Sequence, residues 1–175
     1  MVLNILLILA APIALVLLLG AMRSKSFKLE RSTVINAPAE KIFPFLDDFR
    51  HWGSWSPWEK LDPALQRKFS GAATGVGAVY DWVGNKKVGQ GRMEILESVP
   101  STRLRIQLDF IAPIEANNFA LFTLAPQGGG TRVVWEMTGA RPYMMRVMSV
   151  LFNFDKLIGK DFDAGLANLK QIAEA

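Results

Sequence analysis

An α+β fold, in which a curved antiparallel sheet of about seven strands wraps on one long C-terminal helix, is predicted by two patterns in the sequence. From Met144 apolar side chains recur at helical steps through Met148, Leu151, Ile158, Phe162, Leu166, Leu169 and Ile172, while Asp155, Lys156, Lys160, Asp161 and Asp163 fall mostly on other faces. Between Lys28 and Thr138 the chain is built mainly of short segments alternating apolar and polar, as in a sheet covered on one side. A third feature, the uncharged run at the N-terminus, adds a transmembrane helix to this domain. A sheet wrapped round a helix leaves a space between them, and what fills that space is the functional question.

The 175 residues accommodate one domain and an appendage, without repeats or low-complexity tracts. Residues 1–22 read as a transmembrane anchor, 23–27 as a basic juxtamembrane linker and 28–175 as the folded domain. Cysteine is absent and His51 is the only histidine, which excludes disulfide frameworks, thiol nucleophiles and Cys/His zinc sites. No metal or cofactor is expected. The net charge of +4 comes from scattered Lys and Arg, with no basic, aromatic-interleaved stripe for nucleic acid.

Ile5 to Met22 contains no charged or strongly polar side chain, and 18 such residues rise roughly 27 Å, close to a bilayer's hydrocarbon thickness. Pro12 kinks such a helix without forbidding it in lipid. A cleaved secretory signal fits less well, because no Lys or Arg precedes the apolar run and the run exceeds a signal core. Arg23, Lys25, Lys28 and Arg31 follow directly, so positive-inside bias predicts a single-pass protein of the inner (plasma) membrane with its domain facing the cytoplasm.

Lys28 to Asn36 reads as the first strand. A helix then starts at Ala37-Pro38-Ala39-Glu40, with Asn36 as its cap and Ile42, Phe43, Phe45, Leu46 and Phe49 on its buried face. His51 to Trp58 packs three tryptophans into seven residues, primarily a packing device, with His51 and Trp58 as secondary candidates for lining a portal. Gly71, Gly75 and Gly77 mark turns. No Gly-Lys-Ser/Thr follows them and no helix opens there, so neither a phosphate loop nor a dinucleotide fingerprint is present. Four hairpins follow: 79–83 with 88–97, 98–102 turning into 103–110, a turn at Ala112-Pro113 into 115–124, and a turn at 126–130 into 131–138.

Alternation is clearest for Leu104, Ile106, Leu108 and Phe110 against Arg103, Arg105, Gln107 and Asp109. Propagating that register places Asn117, Phe119 and Leu121, then Val133, Trp135 and Met137, on the inner face. In the other direction it selects Met93 and Ile95, with Gly89 and Gly91 opposite Tyr80 and Trp82. The predicted ligand-cavity residues are Tyr80, Trp82, Met93, Ile106, Leu108, Phe110, Asn117, Phe119, Trp135 and Met137 from the sheet, and Met148, Phe152 and Ile158 from the helix. Glu94, Arg105 and Glu136 fall together outside. The inner face then holds no group that titrates near neutrality, so no catalytic residue is assigned.

The order of elements, with Val34-Ile35-Asn36-Ala37-Pro38, Trp52 to Trp58, Gly89-Gln90-Gly91, Gly130 to Met137 and Asp155 to Phe162, resembles the helix-grip superfamily. That group includes START lipid-transfer domains and the birch-pollen allergen fold. The likeness is nearest to its polyketide cyclase/dehydrase-like SRPBCC branch and covers nearly all of residues 28–173. The resemblance implies a hydrophobic cavity and carries no catalytic set with it.

Three functions follow as expectations. The leading one is a membrane-anchored, non-catalytic module that binds or transfers a small apolar ligand such as a lipid, quinone or polyketide-like molecule. The runner-up is a cyclase- or dehydrase-like enzyme using water held by Asn117 and Tyr80, favoured if the cavity itself contains a buried carboxylate, which would mean a strand register wrong by one. The third is a protein-interaction domain with a filled core, favoured by a cavity below about 300 Å³. The Met-rich stretch from Tyr143 to Phe154 reads either as a gate toward the membrane or as adaptable core filling.

Overall fold

The computed structural model describes residues 2–175, with side chains from Ala10 onward. Helix α1 (Val2–Met22) leads into strand β1 (Ser26–Ile35). Three short helices follow, α2 (Ala39–Ile42), α3 (Pro44–Asp47) and α4 (Trp52–Trp55), with 3-10 turns at Phe49–His51 and Pro57–Lys60. Then come β2 (Gln66–Gly71), β3 (Ala78–Val83), β4 (Gln90–Val99), β5 (Arg103–Ala112), β6 (Ala116–Gln127) and β7 (Gly130–Ala140). Helices α5 (Tyr143–Leu151) and α6 (Phe154–Glu174) close the chain.

The seven strands form one antiparallel sheet in the order β1-β7-β6-β5-β4-β3-β2. β2 to β7 are successive neighbours, and β1 returns to pair with β7, which curves the sheet around α6. The four predicted hairpins all form. The concave side buries Leu29, Ile35, Tyr80, Trp82, Met93, Ile95, Leu104, Ile106, Phe122, Val133 and Trp135 against Phe162, Leu166 and Leu169 of α6.

The tryptophan-rich turn wedges between sheet and helix. Trp55 meets Trp135 edge-on at 5.5 Å, Trp135 stacks on Phe162 at 4.0 Å, and Trp58 closes the cluster edge-on against both Trp135 and Phe162. The indole N–H groups of Trp52 and Trp55 donate to the carbonyls of Leu46 (3.0 Å) and Phe45 (2.9 Å), so the bulk is buried without stranding those donors. α6 is pinned by Asn168 to the Trp55 carbonyl (2.9 Å) and by Lys170 to the Val34 carbonyl (2.6 Å). Trp58 is therefore half-buried and packs against the core. His51 is exposed, with Nδ1 2.9 Å from the Pro44 carbonyl, and neither residue borders the two spaces described below.

Several expectations are corrected. The single C-terminal helix is two, because Asn153 caps α6 by accepting from the Lys156 N–H at 3.0 Å while Phe152 is extended. The first helix begins at Ala39, and Asn36 does not cap it: its backbone N–H donates to Glu174 at 2.6 Å. Gly89 lies beyond β4, so Met93 faces Tyr80 and Gly91 alone faces Trp82, whose ring fills the space a side chain would take.

The largest correction is in β6. Leu104 faces Phe122, Ile106 faces Ala120 and Leu108 faces Asn118, one residue away from the predicted register. The inner row of β6 is thus Ala116, Asn118, Ala120, Phe122 and Leu124, and Asn117, Phe119 and Leu121 turn outward. Phe119 lies under the Arg105 guanidinium, 4.5 Å from its carbon to the ring centre. The outer face otherwise carries ion pairs, including Lys28–Glu136 (2.8 Å) and Arg92–Glu94 (3.0 Å).

The predicted span, residues 5–22, begins at residues whose side chains lie outside the described part. Among the described residues no helix is long and apolar enough to cross a membrane. The C-terminal part of α1 docks on α5. Tyr143 donates its hydroxyl to the Leu17 carbonyl (3.0 Å), Arg146 donates to the Ala21 carbonyl (3.2 Å), and a Cβ at Gly20 would lie 2.7 Å from Val147 Cγ2.

Candidate functional site

The sheet and helices part at one end of the molecule, where β1 begins, β7 ends and α5 breaks into α6. Phe27, Leu29, Met145, Phe154 and Ile158 line a small, partly open cleft of about 50 Å³ there, with Lys28, Arg141 and Asp155 also in its lining. Leu108 and Phe110 extend the apolar wall and are only half-buried. Behind Phe27, outside the lining of that space, sits Asn118, 5% exposed, with its carboxamide oxygen unpaired among the described residues. It fits because its partner across the ladder is Gly139, where any side chain would collide with that oxygen and with the Phe27 ring. A buried acceptor without a donor costs about 1–3 kcal/mol, so an incoming O–H or N–H finds a prepared partner. Further along β7 the Trp135 indole N–H is also buried without an acceptor among the described residues.

The structure gathers some predicted cavity residues here and not others. Leu108, Phe110 and Ile158 flank this end, while Tyr80, Trp82, Met93, Ile106, Trp135 and Met137 face inward as part of the packed core. Met148 and Phe152 are exposed, and Asn117 and Phe119 lie on the opposite face of the sheet. Asn118, Phe27 and Met145 were not singled out by sequence. For Asn118 the missing signal was the hairpin register, which its neighbour Asn117 satisfied equally well.

The concave side is not free of charge. Glu59, in the 3-10 turn after the tryptophans, has a side chain only 7% exposed that pairs with Arg67 of β2 (2.7 Å) and accepts from the Tyr80 hydroxyl (2.5 Å). Burial, reinforced by the adjacent carboxylate, holds the Tyr80 phenol above its ordinary range. The contacts run from residue 59 to residues 67 and 80, so no local spacing encodes them. Arg31, from the middle of β1, also points toward the helix. It fits under Gly159 and pairs with Asp155 (2.7 Å) and Asp163 (3.6 Å), the Asp155 hydrogen bond being the main cause of its raised pKa. Both clusters are internally satisfied ion networks that join elements, and neither borders the 50 Å³ space except through Asp155. A wider hollow of about 490 Å³ lies at the far end, between Pro38–Glu40 and the β6–β7 turn. It is an open surface groove of Pro, Gly and backbone, with Glu40 its only titratable side chain.

The sequence profile described as "Polyketide cyclase / dehydrase and lipid transport" matches residues 26–174, from the first residue of β1 to the last of α6. The chain belongs to that family. No curated protein sequence matches it. Among solved structures it is similar to protein CV1439 from Chromobacterium violaceum (18% identity, 86% of this chain and 98% of that one, TM-score 0.59). It is also similar to the Aha1 dimer from Colwellia psychrerythraea (16%, 85% and 96%, TM-score 0.60). The di-domain ARO/CYC BexL aligns at 17% identity and TM-score 0.64 over 90% of this chain, which spans 53% of that longer protein. At these identities the likeness establishes the shared helix-grip architecture.

Proposed function

We propose that the chain is a non-catalytic binding or transfer module, anchored in the inner membrane by residues 5–22 with its domain facing the cytoplasm. Its ligand is a small apolar molecule bearing one hydroxyl or N–H donor. The observation that carries this reading is the buried, unpaired Asn118 oxygen beside Phe27, one of the apolar residues lining the small space beneath the α5–α6 break. The family description, which includes lipid transport, agrees with it. At about 50 Å³ the partly open cleft holds little more than a water, so the ligand enters by displacing α5, whose hinge is the capped break at Asn153. Lipid, quinone and polyketide-like ligands all present such chemistry, and tethering keeps the domain near a membrane-dissolved source. The 50 Å³ volume also favours a second reading, a filled-core protein-interaction domain.

A naphthol separates the two, being apolar with a single hydroxyl. Wild-type protein is expected to bind 1-naphthol, and Asn118→Leu to raise its Kd about five- to tenfold, the equivalent of one hydrogen bond. Equal affinity in both proteins rejects the role of Asn118, and no binding by either supports the filled core.

A further inference from the structure

Four exposed features converge on the end of the sheet where α1 enters. The register puts Ser26 beside Ala140, Asn118 beside Gly139, Phe110 beside Ala116 and Gly91 beside Phe110, so one rim carries the α1–β1 junction, the β7–α5 junction and the β3–β4 and β5–β6 tips. The β5–β6 tip exposes Ile111 and Ile114, the latter at 70%. α5 and the break after it expose Met144, Met148, Leu151 (61%) and Phe152 (55%), with Leu157 beyond. Single exposed apolar residues need no explanation, but seven of them on one rim do.

The surrounding charge has one dominant sign. Arg23 and Lys25 follow α1, Lys86 and Lys87 stand exposed on the β3–β4 tip, Arg141 lies over Phe27, and Arg146 donates to the Ala21 carbonyl near the end of α1. Facing them are Glu115 on the β5–β6 tip and Asp155, which Arg31 already engages. A basic ring round an apolar patch complements anionic headgroups over acyl chains.

Depth gives the third argument. Tyr143 bonds to Leu17, about five residues before the end of α1, which places the start of α5 roughly 8 Å along that helix from Met22. Interfacial helices are buried by about that depth, with aromatic hydroxyls at headgroup level.

We infer that this rim is a lipid-contact surface: α5 and the Ile111–Ile114 tip lie in the headgroup–acyl boundary of an anionic bilayer, so the Asn118 cleft opens toward the membrane. This rests on the proposal that α1 spans the bilayer. It goes further in fixing the domain's orientation and the route to the cleft, since α5 is both the lid and the part in lipid.

The chain contains no cysteine, so single labels report without background. Full-length Ile114→Cys, Leu151→Cys, Met144→Cys and Gln127→Cys proteins are spin-labelled and reconstituted in phosphatidylglycerol/phosphatidylcholine vesicles. Labels at 114, 144 and 151 are expected to favour oxygen over a soluble nickel complex several-fold, and the label at 127, on the opposite β6–β7 turn, to favour nickel. Vesicle-bound protein whose four labels are all nickel-accessible overturns the inference and leaves the anchor standing. Protein that does not float with the vesicles removes both. Labels at the rim that are nickel-shielded equally in detergent, with dipolar broadening between copies, assign the rim to a second copy of the chain and overturn the inference too.

Discussion

At the scale of single residues, the concave face is decided by size as much as by polarity. The row Asn117, Phe119, Leu121 is greasier than the row Asn118, Ala120, Phe122, yet the second faces inward. The tryptophan wedge and Trp135 already occupy the concavity, leaving room for alanines. This is why the β6 register was illegible. Alternation in β5 was sharp because arginines mark its outer side, whereas both rows of β6 offer an asparagine, an aromatic and a leucine. Phe122→Ala is expected to cost about 3–5 kcal/mol and Phe119→Ala about 1 kcal/mol or less, measured by chemical denaturation. Equal losses would restore the predicted register.

A second residue-scale prediction concerns Glu174. The Asn36 backbone N–H, aided by Lys170, holds its carboxyl below the ordinary value of 4.5. A depressed carboxylate contributes stability that is present above its unfolded pKa and lost as pH falls through its folded one. Wild-type Tm is therefore expected to fall below about pH 4–5 more steeply than that of Glu174→Gln, which cannot titrate. Parallel profiles would show that this link does not tie α6 to β1.

At the scale of elements, both α5 and α6 carry helical periodicity, and only the cap separates them. Asn153 with Asp155 in the turn after it was a readable helix-start signal, masked by the Met-, Leu- and Phe-rich stretch on either side. The two helices differ in what holds them. α6 buries Phe162, Leu166 and Leu169 and is tied to β1 and α4 through Lys170 and Asn168, while α5 buries Val147 and leans on α1. Amide exchange is expected to be faster in residues 143–152 than in 160–172 by at least an order of magnitude, and to slow in α5 alone when 1-naphthol is present. Uniform protection, unchanged by the probe, would mean that α5 is no lid.

At the scale of the whole molecule, the architecture was largely legible, because hairpin turns and alternating strands are local signals and the sheet order follows from them. The site was not. It arises where β1, β6 and β7 meet the α5–α6 break, and its defining atom, the Asn118 oxygen, became visible only with Gly139 opposite it. The Glu59–Arg67–Tyr80 network was hidden likewise by sequence distance. These charges form satisfied pairs, whereas the Asn118 oxygen beside the cleft has no partner among the described residues.

Native mass spectrometry of the full-length protein, gently extracted from membranes, tests the central claim most directly. A bound apolar small molecule is expected on the wild-type protein and absent or much reduced on Asn118→Leu. A wild-type spectrum showing only the bare polypeptide under every extraction condition would contradict it.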